Sequence, residues 1–150
     1  MFLNIVTDEE LLTSQIVKAM LLFVISAGII YNLLRLVREQ IKTKKIINAG
    51  ILAILIVVIF LVFYEFCIEY ALIKNPKYIE GKTIGYCSVF AQGEGIKFEY
   101  EINGNKFCNC NTFHPISKDS IVVPGGKYMV RYSSAFRNLG RMNFKMKTEE

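Results

Sequence analysis

Two long apolar runs lie close together in the first half of the chain, Ile16 to Leu36 and Ile46 to Ile73, with the basic stretch Arg35 to Lys45 between them. A helix needs about 20 apolar residues to cross the roughly 30 Å hydrocarbon core of a bilayer, and each run meets that length. In lipid every backbone amide must be satisfied within the structure, which favours helices for such runs. The expected architecture is membrane α plus β: a two-helix transmembrane hairpin followed by a small antiparallel β domain. Its helices are placed at residues 16–36 and 46–73, with a basic loop at 37–45 and a linker at 74–81. Apolar residues make up 53% of the chain, above the usual share for a soluble domain, and the excess lies before residue 74.

An apolar run near the start also occurs in secretory signals, whose leading region is basic. Here Asp8, Glu9 and Glu10 make it acidic, and no small-residue cleavage site follows Leu36. The first helix is therefore expected to stay. Thr7 and Glu10 have the spacing of a capping box, and the acidic first turn suits the helix dipole. Residues 1–15 are read as a polar segment leading into the first span.

Cation placement predicts orientation. The connecting stretch carries Arg35, Arg38, Lys42, Lys44 and Lys45, whereas the outer flanks carry Lys18 at one end and Lys74, Lys77 and Lys82 at the other. The expectation is a cytoplasmic loop in the inner membrane, with both termini and the β domain extracytoplasmic. An antiparallel packing of the helices would bring Asn32 to Asn48, Gly28 to Ala53 and Lys18 to Glu65 in a single register. Small residues allow close backbone approach, and polar side chains find partners away from lipid. Equally, Lys18 can snorkel to headgroups alone while Glu65 and Glu69 lie at the interface.

Beyond Ile73 the periodicity changes. Ile96 to Ile102 alternates apolar and charged residues as a half-buried strand does, and Asn103-Gly104 follows at once. That dipeptide signals a two-residue hairpin turn, which would set Glu101 opposite Lys106 and Tyr100 opposite Phe107. Lys82 to Ala91 reads as a strand before it. Ser120 to Val123, Lys127 to Ser133 and a short stretch at Met142 to Met146 read as strands after it. Five or six strands would build a barrel or sandwich over residues 82–150.

Gly81-Lys-Thr-Ile84, Ile96-Lys-Phe-Glu-Tyr-Glu-Ile-Asn-Gly104 and Gly126-Lys-Tyr-Met-Val-Arg-Tyr-Ser133 together resemble the β-module of small bacterial membrane proteins of unknown function. Those modules combine a strand, an Asn-Gly turn and a Gly-x-x-Tyr-x-Val-x-Tyr strand that leads into an Asn-Pro-like segment. Ser134-Ala-Phe-Arg-Asn138 replaces that last segment here. The resemblance implies an extracytoplasmic β-module and no particular chemistry.

Reactive side chains are few. Cys87, Cys108, Cys110 and His114 could in principle supply a metal or thiol site, but the Cys108-Asn-Cys110 spacing departs from the usual zinc patterns. In an oxidising compartment a disulfide between Cys87 and either Cys108 or Cys110 is favoured instead, and Cys67 in the second helix acts as a small hydrophobe. No catalytic residue, metal or cofactor is expected, and the net charge of +5 lacks the dense basic stripe of a nucleic-acid binder. Tyr, Phe and charged pairs without a catalytic constellation suit a recognition surface. The expected function is a membrane-anchored protein-binding module of the envelope-accessory or toxin-immunity type. Its partners would be the lipid bilayer and a second protein, with homo-oligomers included and nucleic acid excluded. The alternative is a redox or metal enzyme built on the three cysteines and His114.

Overall fold

The computed structural model describes residues 7–90, 93–114 and 116–148. Two helices come first, α1 (Asp8–Arg38) and α2 (Lys42–Lys74). Five strands follow: β1 (Lys77–Val89), β2 (Gly93–Ile102), β3 (Asn105–Asn111), β4 (Lys127–Ser133) and β5 (Phe136–Lys147). They form one antiparallel sheet in the order β3-β2-β1-β4-β5. The chain divides into two compact units, Thr13–Cys67, and a second unit made of the start of α1 with everything from Ile68 on.

Both helices outrun the apolar windows that predicted them. Thr7 lies just before α1, its hydroxyl 2.5 Å from the Glu10 carboxylate, and its carbonyl accepts from Leu11 N–H at 2.9 Å. At the other end the expected loop at 37–45 shrinks to residues 39–41, so Arg38 and Lys42 already belong to helices. Nothing in this stretch opposes helix, because it holds neither Gly nor Pro. Each helix is long and apolar enough to span a membrane, and only 6% of one apolar window and 11% of the other is buried within the chain. A core helix of a soluble protein would hide most of that surface; here Phe23, Val24, Phe60 and Leu61 face outward.

Within the helical unit, Gln15 donates its side-chain amide to the Phe66 carbonyl at 2.9 Å, and Gly28 faces Leu55. Asn32 does not reach Asn48, contrary to expectation. Its amide donates instead to the Gly28 carbonyl one turn back in its own helix, while the buried Asn48 Nδ2 makes no hydrogen bond. Bonding back to the i−4 carbonyl is the local option open to a short polar side chain in a helix. Lys18 is 1% exposed and donates to Ser14 Oγ at 3.1 Å; Glu65 is half-buried.

The sheet is a curled half-barrel rather than a closed barrel or a sandwich. Its inner face gathers Ile96, Phe98, Tyr100, Tyr128, Val130, Met142 and Phe144 into the main core. The Asn103-Gly104 turn has positive φ at both residues, 51° and 80°, as a tight hairpin of this type requires. The register is the expected one, with Glu101 opposite Lys106 and Tyr100 opposite Phe107, and the two rings stack at 5.6 Å. The linker expected at 74–81 is mostly strand, since β1 begins at Lys77 and pairs with β4 from there. Ser120 to Val123 is not a strand. One 3-10 turn, Lys118–Ser120, leads into a loop that buried Thr83 holds. Its hydroxyl donates to the Val122 carbonyl at 2.7 Å and accepts from Gly126 N–H at 2.9 Å. Those bonds commit the loop backbone locally, so no ladder forms there.

The two edge strands face one another across the curl and are joined by side chains. Asn109 donates to the Asn138 and Gly140 carbonyls at 2.9 and 3.2 Å, and Asn111 donates to the Met142 carbonyl at 2.9 Å. Between them sits Tyr100, whose hydroxyl donates to the Arg137 carbonyl at 2.7 Å and accepts from Gly140 N–H at 2.9 Å. The ring fits because Gly140 has no side chain; a Cβ there would lie 2.8 Å from the phenol.

Tyr100→Phe keeps the ring and deletes the hydroxyl, leaving the Gly140 N–H and the Arg137 carbonyl short of a partner. Unsatisfied buried groups cost about 1–3 kcal/mol, so thermal or denaturant unfolding of the full chain in detergent should show a loss in that range. An unchanged midpoint would mean that water replaces the hydroxyl.

Candidate functional site

The outer face of the sheet has two halves. On β4 and β5, Arg131 and Arg141 are directly opposed, and both are almost fully buried beneath the ends of the helices. Arg131 forms an ion pair with Asp8 at 2.6 Å and donates twice to the Leu72 carbonyl, at 3.0 and 2.7 Å. Arg141 reaches Glu69 at 3.2 Å, with both groups out of solvent. Leu11, Ile68 and Leu72 pack beside them against Phe136 and Leu139. A buried guanidinium requires such partners, because its desolvation would otherwise be prohibitive.

The other half, on β1, β2 and β3, is left open. Lys82 lies opposite Glu99, and Glu99 opposite Cys108. Glu101 lies opposite Lys106 and Lys97 opposite Cys110, while Glu80 meets Lys127 of β4 at 3.8 Å. Glu80, Lys82, Glu99, Glu101 and Lys106 line a shallow cleft of about 150 Å³ floored by Gly81 and Tyr100. The surface is dense in both signs of charge and offers opposite-charge cross-strand pairs. Phe90, at its β1–β2 end, is 95% exposed, whereas Tyr86 is paired with Ile96 and belongs to the opposite face.

Cys87 and Cys110 are joined by a disulfide with Cα atoms 6.1 Å apart. The bond spans two strands that both flank β2, which an ordinary residue in β2 would obstruct. Gly95 permits it: a Cβ there would lie 2.6 Å from the Asn111 carbonyl oxygen and 2.9 Å from the Cys110 sulfur. Cys108 is the neighbour left over, exposed and free, and Cys67 is the other free thiol.

His114 packs on Phe144 with ring centroids 5.9 Å apart and the rings tilted by 48°, its buried Nε2 unpaired. Burial, reinforced by the nearby Lys118 charge, holds its pKa below the ordinary histidine value. The sequence-derived set of Cys87, Cys108, Cys110 and His114 thus does not converge: two sulfurs are bonded to each other, one faces outward, and the imidazole rests on the core. Among the described residues no group of three His, Cys, Asp or Glu side chains is placed to hold a metal ion. Tyr100 shows the opposite shift to His114. Burial raises its phenol above the ordinary value, against the pull of its hydrogen bonds from Gly140 and Asn109, so it remains a neutral donor.

Sequence reasoning passed over the two arginines that matter most. Arg131 sits at an outward position of an alternating strand, where charge ordinarily means solvent; only the presence of the helix ends reverses that. Compared with known proteins, the chain matches no protein family, no curated protein and no solved structure.

The disulfide closes a sequence separation of 23 residues, for which chain entropy gives a stabilisation of about 3 kcal/mol. Cys87→Ser should lower the unfolding midpoint in non-reducing buffer, and dithiothreitol should lower the parent protein to the same value. No response to the reductant would mean that the sulfurs are unbonded in solution.

A pKa depressed in the folded state means that the unfolded chain binds the proton more tightly. The contribution of His114 is therefore complete above the ordinary histidine pKa of about 6.5 and falls away as pH drops through it. His114→Gln should flatten that part of the stability profile between pH 7.5 and 5.5, and an identical profile would remove His114 from the account.

Proposed function

We propose that this protein is a membrane-anchored, non-enzymatic recognition module that binds a second protein through the outer face of β1, β2 and β3. One observation carries the reading: among the described residues, most of the rest of the sheet is already engaged. The inner face is filled with side chains, the edges are joined to each other by Asn109 and Asn111, and the β4–β5 half lies under the helix ends. What remains is an open, charge-rich face with exposed Phe90 at its β1–β2 end, the residue types that supply orientation and energy at interfaces.

The hairpin crosses the inner membrane in this reading, with the Arg35 to Lys45 turn in the cytoplasm and the β domain outside. The basic cluster at one end supports that orientation. The Cys87–Cys110 disulfide supports it independently, because such bonds persist in oxidising compartments. A module of this kind fits an envelope-complex accessory or an immunity protein facing a toxin that arrives from outside.

Cys108, free and exposed in the middle of the proposed face, provides a native probe. A membrane-impermeant maleimide should label it in intact spheroplasts, and protection until the membrane is opened would reverse the topology. A thiol-directed photocrosslinker on Cys108 should capture one discrete protein in native membranes. Lys82→Glu combined with Lys106→Glu should abolish that adduct while costing no more than about 1 kcal/mol of stability for each like-charge cross-strand pair it creates with Glu99 and Glu101. An adduct indifferent to the charge reversals would locate recognition elsewhere.

A further inference from the structure

The turn between the helices carries Arg35, Arg38, Lys42, Lys44 and Lys45 against a single carboxylate, Glu39. All five cations are exposed, and none has an ion-pair partner among the described residues. Their placement differs at the two helix ends. Arg35 and Arg38 occupy the last turn of α1, where the helix dipole welcomes positive charge, but the first turn of α2 has no acid and is crowded with lysines. Cations at a helix N-terminus are opposed by the dipole. The local arrangement is therefore unfavourable as it stands, and negative charge near these lysines would relieve it.

Geometry adds a seat. Tyr31, Leu34, Arg35 and Arg38 follow one another at helical spacing on one side of α1, and with Glu39 they line an open cleft of about 400 Å³. Both chemistries meet there. The guanidinium groups can take a phosphate oxygen by paired hydrogen bonds, while Tyr31 and Leu34, both largely exposed, give the same cleft an apolar side. A soluble anion has no use for that apolar rim, whereas an acyl chain does.

We infer that the Arg35–Arg38 cleft, together with Lys42, Lys44 and Lys45, is a binding site for the phosphate headgroup of an anionic phospholipid. The inference rests on the reading of the helices as a bilayer hairpin. It adds the class of lipid and the residues that select it. Basic residues beside a membrane-spanning helix bind acidic lipid in this way, each contributing about a fivefold gain in affinity at the surface.

The full chain, reconstituted into vesicles of phosphatidylcholine alone or mixed with phosphatidylglycerol, tests the idea. Flotation with both, together with tighter, salt-sensitive retention of phosphatidylglycerol by the purified protein, is the expected result. Arg35→Gln with Arg38→Gln should weaken that retention by about fivefold for each cation removed, and Lys44→Gln with Lys45→Gln should do so without touching the cleft. Arg35→Lys with Arg38→Lys should restore most of it. If the chain fails to float with phosphatidylcholine, the bilayer reading falls and the inference with it. If it floats but retains both lipids equally, this inference alone is overturned. Equal stabilisation by inorganic phosphate at matched concentration would also overturn it, by showing that the site takes a free anion.

Discussion

Two guanidinium groups hidden from water organise the larger compact unit. Arg131 and Arg141 stand side by side on adjacent strands, where their mutual repulsion and lost hydration have to be offset locally. Asp8, Glu69 and the Leu72 carbonyl do so, and all three come from helix ends distant in sequence. The small β domain therefore lacks a self-sufficient outer layer over β4 and β5. Its second apolar cluster, Leu11, Ile68 and Leu72 against Phe136 and Leu139, exists only because those helix turns are present. Below about 80 residues a single core is seldom adequate, and the sheet here is supplemented by helix ends and by a disulfide.

The features legible in sequence were those governed by local backbone chemistry. Asn103-Gly104 specified a turn through its positive φ, and the turn then fixed the pairing of β2 with β3. The apolar runs specified helices through length alone. Tertiary capture decided what was missed. Ser120 to Val123 has the composition of a strand, yet Thr83 engages its backbone. Lys77 to Glu80 looks like linker, yet β4 lies alongside it. Asn32 and Asn48 matched on paper, but a carbonyl one turn away was nearer than a partner on the other helix.

Choice of the disulfide partner illustrates the same division. Cys108 and Cys110 share a face of β3, so alternation along the strand cannot distinguish them. Their difference lies in β2, where Glu99 stands opposite one and Gly95 opens space beside the other. A missing side chain on an intervening strand settles which sulfur can be reached. The candidate interaction face is harder to read from sequence for a related reason: charged alternation marks a solvent face, but only the full topology reveals which solvent faces remain uncovered.

Backbone ladders hold four of the contacts around the curl, and the fifth, between β3 and β5, depends on the amides of Asn109 and Asn111 with the hydroxyl of Tyr100. That seam can part without breaking a single ladder. On one side of it the Cys87–Cys110 bond locks β1, β2 and β3 into a stiff leaf, and on the other β4 and β5 are weighted by the arginines beneath the helix ends. The sheet is thus a book bound along the β1–β4 spine and clasped at its open edge by Asn109, Asn111 and the Tyr100 hydroxyl, so closure of the curl rests on three side chains rather than on paired backbone.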